Sequence, residues 1–214
     1  RNVVTESESS KLTVAVPPDV TASTGMDAIT QLIESFVSRR SQPIPRALCL
    51  QGLEGAVPAL LKAYREPGAR AARDTMSQAA ILSGLALANS GLGLAHGVAA
   101  ALGIHCGVPH GLACAVMLPT AMRVNAEVRR ADFVRLSPLL TGRIWKPDDA
   151  AVHAAIEQIE ELNRQLGIPA RLKALGVTSD QIPALAKASR GNSMSGNPRE
   201  LTDDELTALL ERLL

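Results

Sequence analysis

The sequence predicts an all-α protein, a single multi-helix domain preceded by a short extended segment. Three observations carry this. Apolar residues recur at three- and four-residue intervals, as in Ile29, Leu32, Ile33 and Phe36, a recurrence that builds one buried face on a helix. Only Leu12 to Val16 (LTVAV) reads as a strand, and Pro17-Pro18 ends it. Apolar residues make up 46% of the chain and aromatic ones only 2%, so the core is built from Ala, Leu, Val and Ile. That suits helices packed closely through small side chains.

Arg1 to Ser10 are polar after Val4 and lack a helix period, which reads as a loop or arm. Thr24 is placed to cap a helix from Met26 to Arg40. A second helix follows Ile44 with Pro45 in its first turn, bends at Pro58 and ends near Arg65. A third runs from Ala69 to Asn89. Its second half, AAILSGLALA, is apolar nearly all round and is expected to be the central buried helix. Gly91 and Gly93 break it, and a short helix then carries His96 toward Gly103. GVPHG turns the chain into a helical stretch through Met117 and beyond Pro119, while Arg129 to Asp148 carries the weakest pattern. Helices resume at Asp149 to Leu166, Ala170 to Leu175 and Ser179 to Ala188, the first two stopped by Gly167 and Gly176. Thr202 with Glu205 forms a capping box for the last.

Composition narrows the function classes. The 22 basic and 21 acidic residues leave a net charge of +1 and are scattered, so no nucleic-acid partner is expected. The longest apolar stretches, such as Ala113 to Leu118, fall far short of the roughly 20 residues of a membrane span. Cys49, Cys106 and Cys114 form no CxxC pair and the N-terminus does not read as a signal peptide; a reducing cytoplasm is expected.

Asp27 and Gln31 stand four apart on one helix, so their side chains share a face. His96 and His110 each precede a glycine, a residue that lets a backbone or a ligand approach closely. A carboxylate with two imidazoles suits Fe2+ or Zn2+ with coordination positions left open. Spacing alone leaves other roles open: Asp27 as a first-turn residue complementing the helix dipole, Gln31 as a solvated amide, His96 as a hydrogen-bonded core histidine. GLGLAHG follows a helix rather than a strand and is not a dinucleotide loop.

Two segments, TASTGMDAITQLIESFVS (Thr21 to Ser38) and SGLGLAHGVAAALGIHCGVPHGLACAVMLPTAMRVN (Ser90 to Asn125), resemble the signature regions of the iron-containing, or group III, alcohol dehydrogenases. GNSMSGNPRELTDDEL (Gly191 to Leu206) resembles that family's C-terminal end. The resemblance implies the helical domain of the dehydroquinate synthase-like type. It also implies a metal site at Asp27, Gln31, His96 and His110, where Gln31 stands in place of a family histidine and should weaken iron binding. Ala100 stands where several members carry a further active-site histidine, and His105 and Cys106 are candidates to line the pocket. Residues 1–20 then read as a remnant of the nucleotide-binding domain and linker, and 21–214 as the helical metal-binding domain.

The activity implied is hydride transfer between a small alcohol or aldehyde and NAD or NADP, the nucleotide being held by an N-terminal domain that precedes this region in the family. By itself the chain is then expected to bind metal weakly and turn over nothing. A homo-oligomer, a dimer, is expected from the apolar face that would meet that domain. Gln31 keeps a maleylacetate-reductase-like or metal-independent relative as the alternative. A non-catalytic helical oligomerisation module is the reading from another class.

Overall fold

The computed structural model of the chain describes residues 13–214. The arm expected over Arg1 to Ser10, and Leu12 of the expected strand, lie outside them. The described residues form nine α-helices and three short 3-10 turns. The helices are α1 (Pro18–Val37), α2 (Pro43–Leu53), α3 (Ala56–Arg65), α4 (Arg70–Ser90), α5 (Leu94–Cys106), α6 (His110–Thr141), α7 (Asp149–Gln165), α8 (Ile182–Ala188) and α9 (Asp203–Glu211). The expected strand is corrected for its described part: Val16 N–H donates to the Thr13 carbonyl at 3.1 Å, closing a turn.

Helix α1 organises the domain, packing on α2, α3, α4 and α6. Its buried face carries Met26, Ile29, Leu32, Ile33, Phe36 and Val37. The helix starts at Pro18 rather than Met26, because proline suits a first turn and Thr24 Oγ1 bonds back to the Val20 carbonyl at 2.7 Å instead of capping. The expected bend at Pro58 is likewise replaced by a break at Gly55, whose φ of 71° separates α2 from α3 and leaves Pro58 in a first turn that tolerates it.

The expected burial of α4's second half does not hold. Ile81 and Leu85 are 63% and 52% exposed, and the buried stripe is Ala79, Ser83, Ala86 and Ser90. Small residues let α4 lie close on α1 and α2, and the larger apolar ones face outward. The buried helix is α5, in which Leu94 to Ala99 are all buried. Gly107, at φ 67°, ends α5, and α6 carries the chain on through Pro119 and Pro138 with a break at Arg129. The expected weak stretch is therefore helical to Thr141 and a loop only beyond it. The Thr202–Glu205 capping box forms as expected. Among the described residues no single helix is long and apolar enough to cross a membrane; α4 and α5 together pass by length and composition but bend by 101°.

Candidate metal centre

Four donors from three helices converge. Asp27 of α1, His96 of α5, and His110 and Cys114 of α6 place one ligand atom each within 4.8 Å of all the others. Asp27 Oδ1 lies 3.1 Å from His96 Nε2 and 3.8 Å from His110 Nε2. Cys114 Sγ lies 3.6 Å from His110 Nε2, one helical turn along α6. His96 and Cys114 are buried, whereas the His110 side chain is 50% exposed, so the site opens to solvent on that side.

Glycines set these approaches. A Cβ on Gly111 would stand 2.3 Å from the Ser23 carbonyl oxygen of α1, and one on Gly97 would stand 2.8 Å from that of Ser189. Only glycine allows backbones so close, and each such contact sits directly after a histidine of the site. Gly93 is similarly confined, with Asn197 Oδ1 at 2.8 Å from its ideal Cβ. Asn197 Oδ1 accepts from the Leu94 N–H at 3.0 Å, so the C-terminal GNSMSGNPRE segment caps the helix that carries His96.

Glu34 completes the arrangement. It lies on the face of Asp27 and Gln31, at i, i+4 and i+7, and is 2% exposed. Its carboxylate accepts from the N–H groups of Gly93 (3.0 Å), Ala95 (2.7 Å) and His96 (3.4 Å), and lies 2.7 Å from His96 Nδ1. It neutralises the N-terminus of α5 and turns Nε2 of the ring toward Asp27. Burial alone would push His96 down, but hydrogen bonds to Asp27, Cys114 and Glu34 and the charge of Glu34 outweigh it and raise its pKa to about 12. Burial likewise opposes the Asp27 charge, yet His96 and His110 hold the carboxyl below its ordinary value. Cys114 is pushed up to about 12 by burial despite its hydrogen bond to His96.

Gln31 reaches the group through Asp27. Its Nε2 donates to Asp27 Oδ2 at 3.1 Å and its Oε1 accepts from Ser83 Oγ at 2.6 Å. A carboxylate only accepts, so the amide must present its NH2 to Asp27 and its oxygen to α4. Asp27, His96 and His110 are thus brought together, and Gln31 buttresses Asp27. His105 is exposed at the end of α5 and Cys106 packs against the core; neither joins the converging donors. Sequence reasoning did not single out Glu34 or Cys114, although Glu34 was legible as the next position on the Asp27–Gln31 face and Cys114 as the i+4 neighbour of His110. The donor set of carboxylate, two imidazoles and a thiol fits a divalent transition metal.

Residues 21–214 match the C-terminal model of the Fe-containing alcohol dehydrogenase family. The chain belongs to this family. It is 34% identical over 196 residues to lactaldehyde reductase of Escherichia coli K12, covering 91% of this chain and 51% of that protein. The crystal structure of a 1,3-propanediol oxidoreductase superposes with a TM-score of 0.92 at 31% identity, over 96% of this chain and 54% of that one. A sulfoacetaldehyde reductase from Bifidobacterium kashiwanohense, solved in complex with NAD+, superposes at 0.83 with 34% identity, over 95% of this chain and 52% of that one. The chain spans about half the length of the curated relatives it matches. Within the Fe-containing alcohol dehydrogenase family, then, the matched region is the helical one, and all four converging donors lie in it.

Proposed function

We propose that this chain is the metal-binding half of an NAD(P)-dependent alcohol dehydrogenase acting on a small alcohol or aldehyde, with Asp27, His96 and His110 as metal ligands. The observation that carries this is the convergence of those three donors from three helices on one solvent-open point. When bound, a divalent metal there supplies a Lewis acid to an alcohol or carbonyl oxygen. The chain's own residues do the rest of the positioning. Glu34 fixes the His96 ring by Nδ1 and leaves Nε2 facing the centre. Gln31 ties down the second oxygen of Asp27 and keeps the first pointed at the two imidazoles. His110, half-exposed, leaves the approach for substrate and nicotinamide open. The nicotinamide supplies the hydride chemistry, and the nucleotide-binding region belongs to the part of the family that residues 21–214 do not span.

Residues 1–20 are proposed as a remnant of that region and linker, the last three of them already forming the first turn of α1. Three free thiols suit a reducing cytoplasm. The outward Ile81 and Leu85 of α4 support self-association as a dimer, which light scattering coupled to size exclusion tests; a concentration-independent monomer rules it out. For the metal site, the purified protein should carry or take up close to one equivalent of iron or zinc by elemental analysis. Asp27→Ala and His110→Ala should abolish uptake while far-UV circular dichroism stays helical. No uptake by the folded parent protein at any pH from about 6 to 8, where ligand imidazoles ordinarily lose their protons, would overturn the reading.

A further inference from the structure

We infer that Cys114 is the fourth metal ligand of this chain, taking the coordination position that Gln31 does not fill, so that the site selects a thiophilic ion such as Zn2+ over Fe2+. The inference rests on the reading of Asp27, His96 and His110 as ligands and adds a residue to it. Gln31 presents its NH2, which has no lone pair for a metal, to Asp27 at 3.1 Å, while its amide oxygen is turned to Ser83 Oγ at 2.6 Å. Cys114 is placed where the amide is not. Its Sγ is within 4.8 Å of the donor atoms of Asp27, His96 and His110 alike, and stands 3.6 Å from His110 Nε2. Sulfur and nitrogen ligands held about 2.3 and about 2.0 Å from one tetrahedral ion are themselves about 3.5 Å apart. The thiol is buried within the hydrophobic core, yet its Sγ also stands among three polar groups, Asp27, His96 and His110.

One thiolate changes the chemistry of the set. Carboxylate and imidazole accommodate both Fe2+ and Zn2+, whereas sulfur favours the softer partner. On binding, the S–H bond breaks and the S–metal bond forms, with the thiol proton passing to solvent; no oxidation is involved. The set is then one sulfur, two nitrogens and one oxygen, filling four positions. A fifth must open for substrate, as catalytic zinc sites do in expanding their coordination.

The probe is Co2+ added to the metal-free protein. Four-coordinate Co2+ shows intense visible ligand-field bands, and a cobalt–thiolate bond adds a near-ultraviolet charge-transfer band. Both are expected here. Cys114→Ser, which preserves size, should keep the visible bands, lose the charge-transfer band, and bind Zn2+ at least about tenfold more weakly while Fe2+ affinity changes less. Cys106→Ser should change neither band. Visible bands without charge transfer in the parent protein would overturn the assignment of Cys114 and leave the three-residue site standing. Charge transfer that persists in Cys114→Ser would overturn it too. No visible bands in a folded parent protein would sink the metal-site reading and this inference with it. Gln31→Ala separates the two candidates for the fourth position: retained charge transfer supports Cys114, and visible bands that persist without charge transfer overturn the assignment.

Discussion

Replacing Glu34 with glutamine tests whether the His96 side of the site is held from behind. The substitution keeps the side-chain volume but changes what the group can accept. Glu34 receives three backbone N–H groups and faces His96 Nδ1, all within 3.4 Å. A carboxylate can serve four donors; an amide oxygen serves two, and its NH2 is turned against the rest. Each hydrogen bond to a charged group contributes about 1.5–3 kcal/mol, and breaking a buried ionic network costs about 3–5 kcal/mol. With two of the four interactions lost, Glu34→Gln should destabilise the metal-free chain by about 3–5 kcal/mol. For a chain of this size, with a urea slope near 2–3 kcal/mol/M, the unfolding midpoint falls by about 1.5 M. Urea titration followed by far-UV circular dichroism reads that shift. Because Glu34 also orients the ring, Zn2+ affinity measured by competition with a chelating dye should drop about 10–100-fold. A midpoint within about 0.3 M of the parent at such slopes would refute the burial argument. A large loss of stability with unchanged Zn2+ affinity would refute the positioning of His96.

Gly111→Ala should open the α1–α6 contact. Its Cβ would fall 2.3 Å from the Ser23 carbonyl oxygen, an overpacking worth about 1–3 kcal/mol, and the neighbouring His110 should move with the helix. Weaker Zn2+ binding together with a lower melting temperature is expected, and parent-like values in both would contradict the packing. Gln31→His should tighten metal binding by offering a third imidazole from the Asp27 face; unchanged affinity would mean that position 31 stays committed to Ser83. The pH dependence follows from His96, whose pKa is raised to about 12 in the folded metal-free chain. Its stabilising contribution is complete below about 6.5, the unfolded value, and is lost as pH rises toward the folded one, at up to about 1.4 kcal/mol per unit. Chelator-treated protein should therefore lose stability from pH 7 to pH 10, more steeply than a His96→Gln variant. Zn2+ binding near pH 8 should release the His96 proton and, with Cys114 as a ligand, the thiol proton as well, read by calorimetry in buffers of different ionisation enthalpy. Equal pH slopes in the two proteins would count against the protonated ring.

Within a helix, the sequence was a good guide to this fold. The spacing of Ile29, Leu32, Ile33 and Phe36 identified the buried face of α1, and with it the shared face of Asp27 and Gln31. Where two features of comparable polarity compete, pattern alone was not enough. In α4 nearly every residue from Ala79 to Ala88 is apolar, and hydropathy cannot say which side is covered. Size decides it, since Ala79, Ser83, Ala86 and Ser90 permit a closer approach than Ile81 and Leu85 do. At the start of α1, the hydroxyl of Thr24 had two uses, capping or bonding back along the helix, and Pro18 tipped the balance by supplying an earlier first turn.

Between helices the same limit acts on the site. No spacing links position 27 to positions 96, 110 and 114, because their separations depend on how three axes cross. The glycines that follow the two histidines bear on this directly. Either a ligand or another backbone was a reasonable occupant for the space beside them, and the protein itself fills both, with the Ser189 carbonyl and the Met194 side chain beside Gly97 and the Ser23 backbone beside Gly111. Each histidine is therefore pinned by a packing contact made one residue away from its own side chain. The side chain itself faces the common centre, held at His96 by Glu34, while the adjacent main chain sets where that centre lies. A side chain added at either glycine would act on the candidate site, at position 111 through Asp27 Cβ, 3.4 Å away, as well as through the Ser23 backbone, so where the four donors converge is set as much by what is missing at positions 97 and 111 as by the residues at 96 and 110.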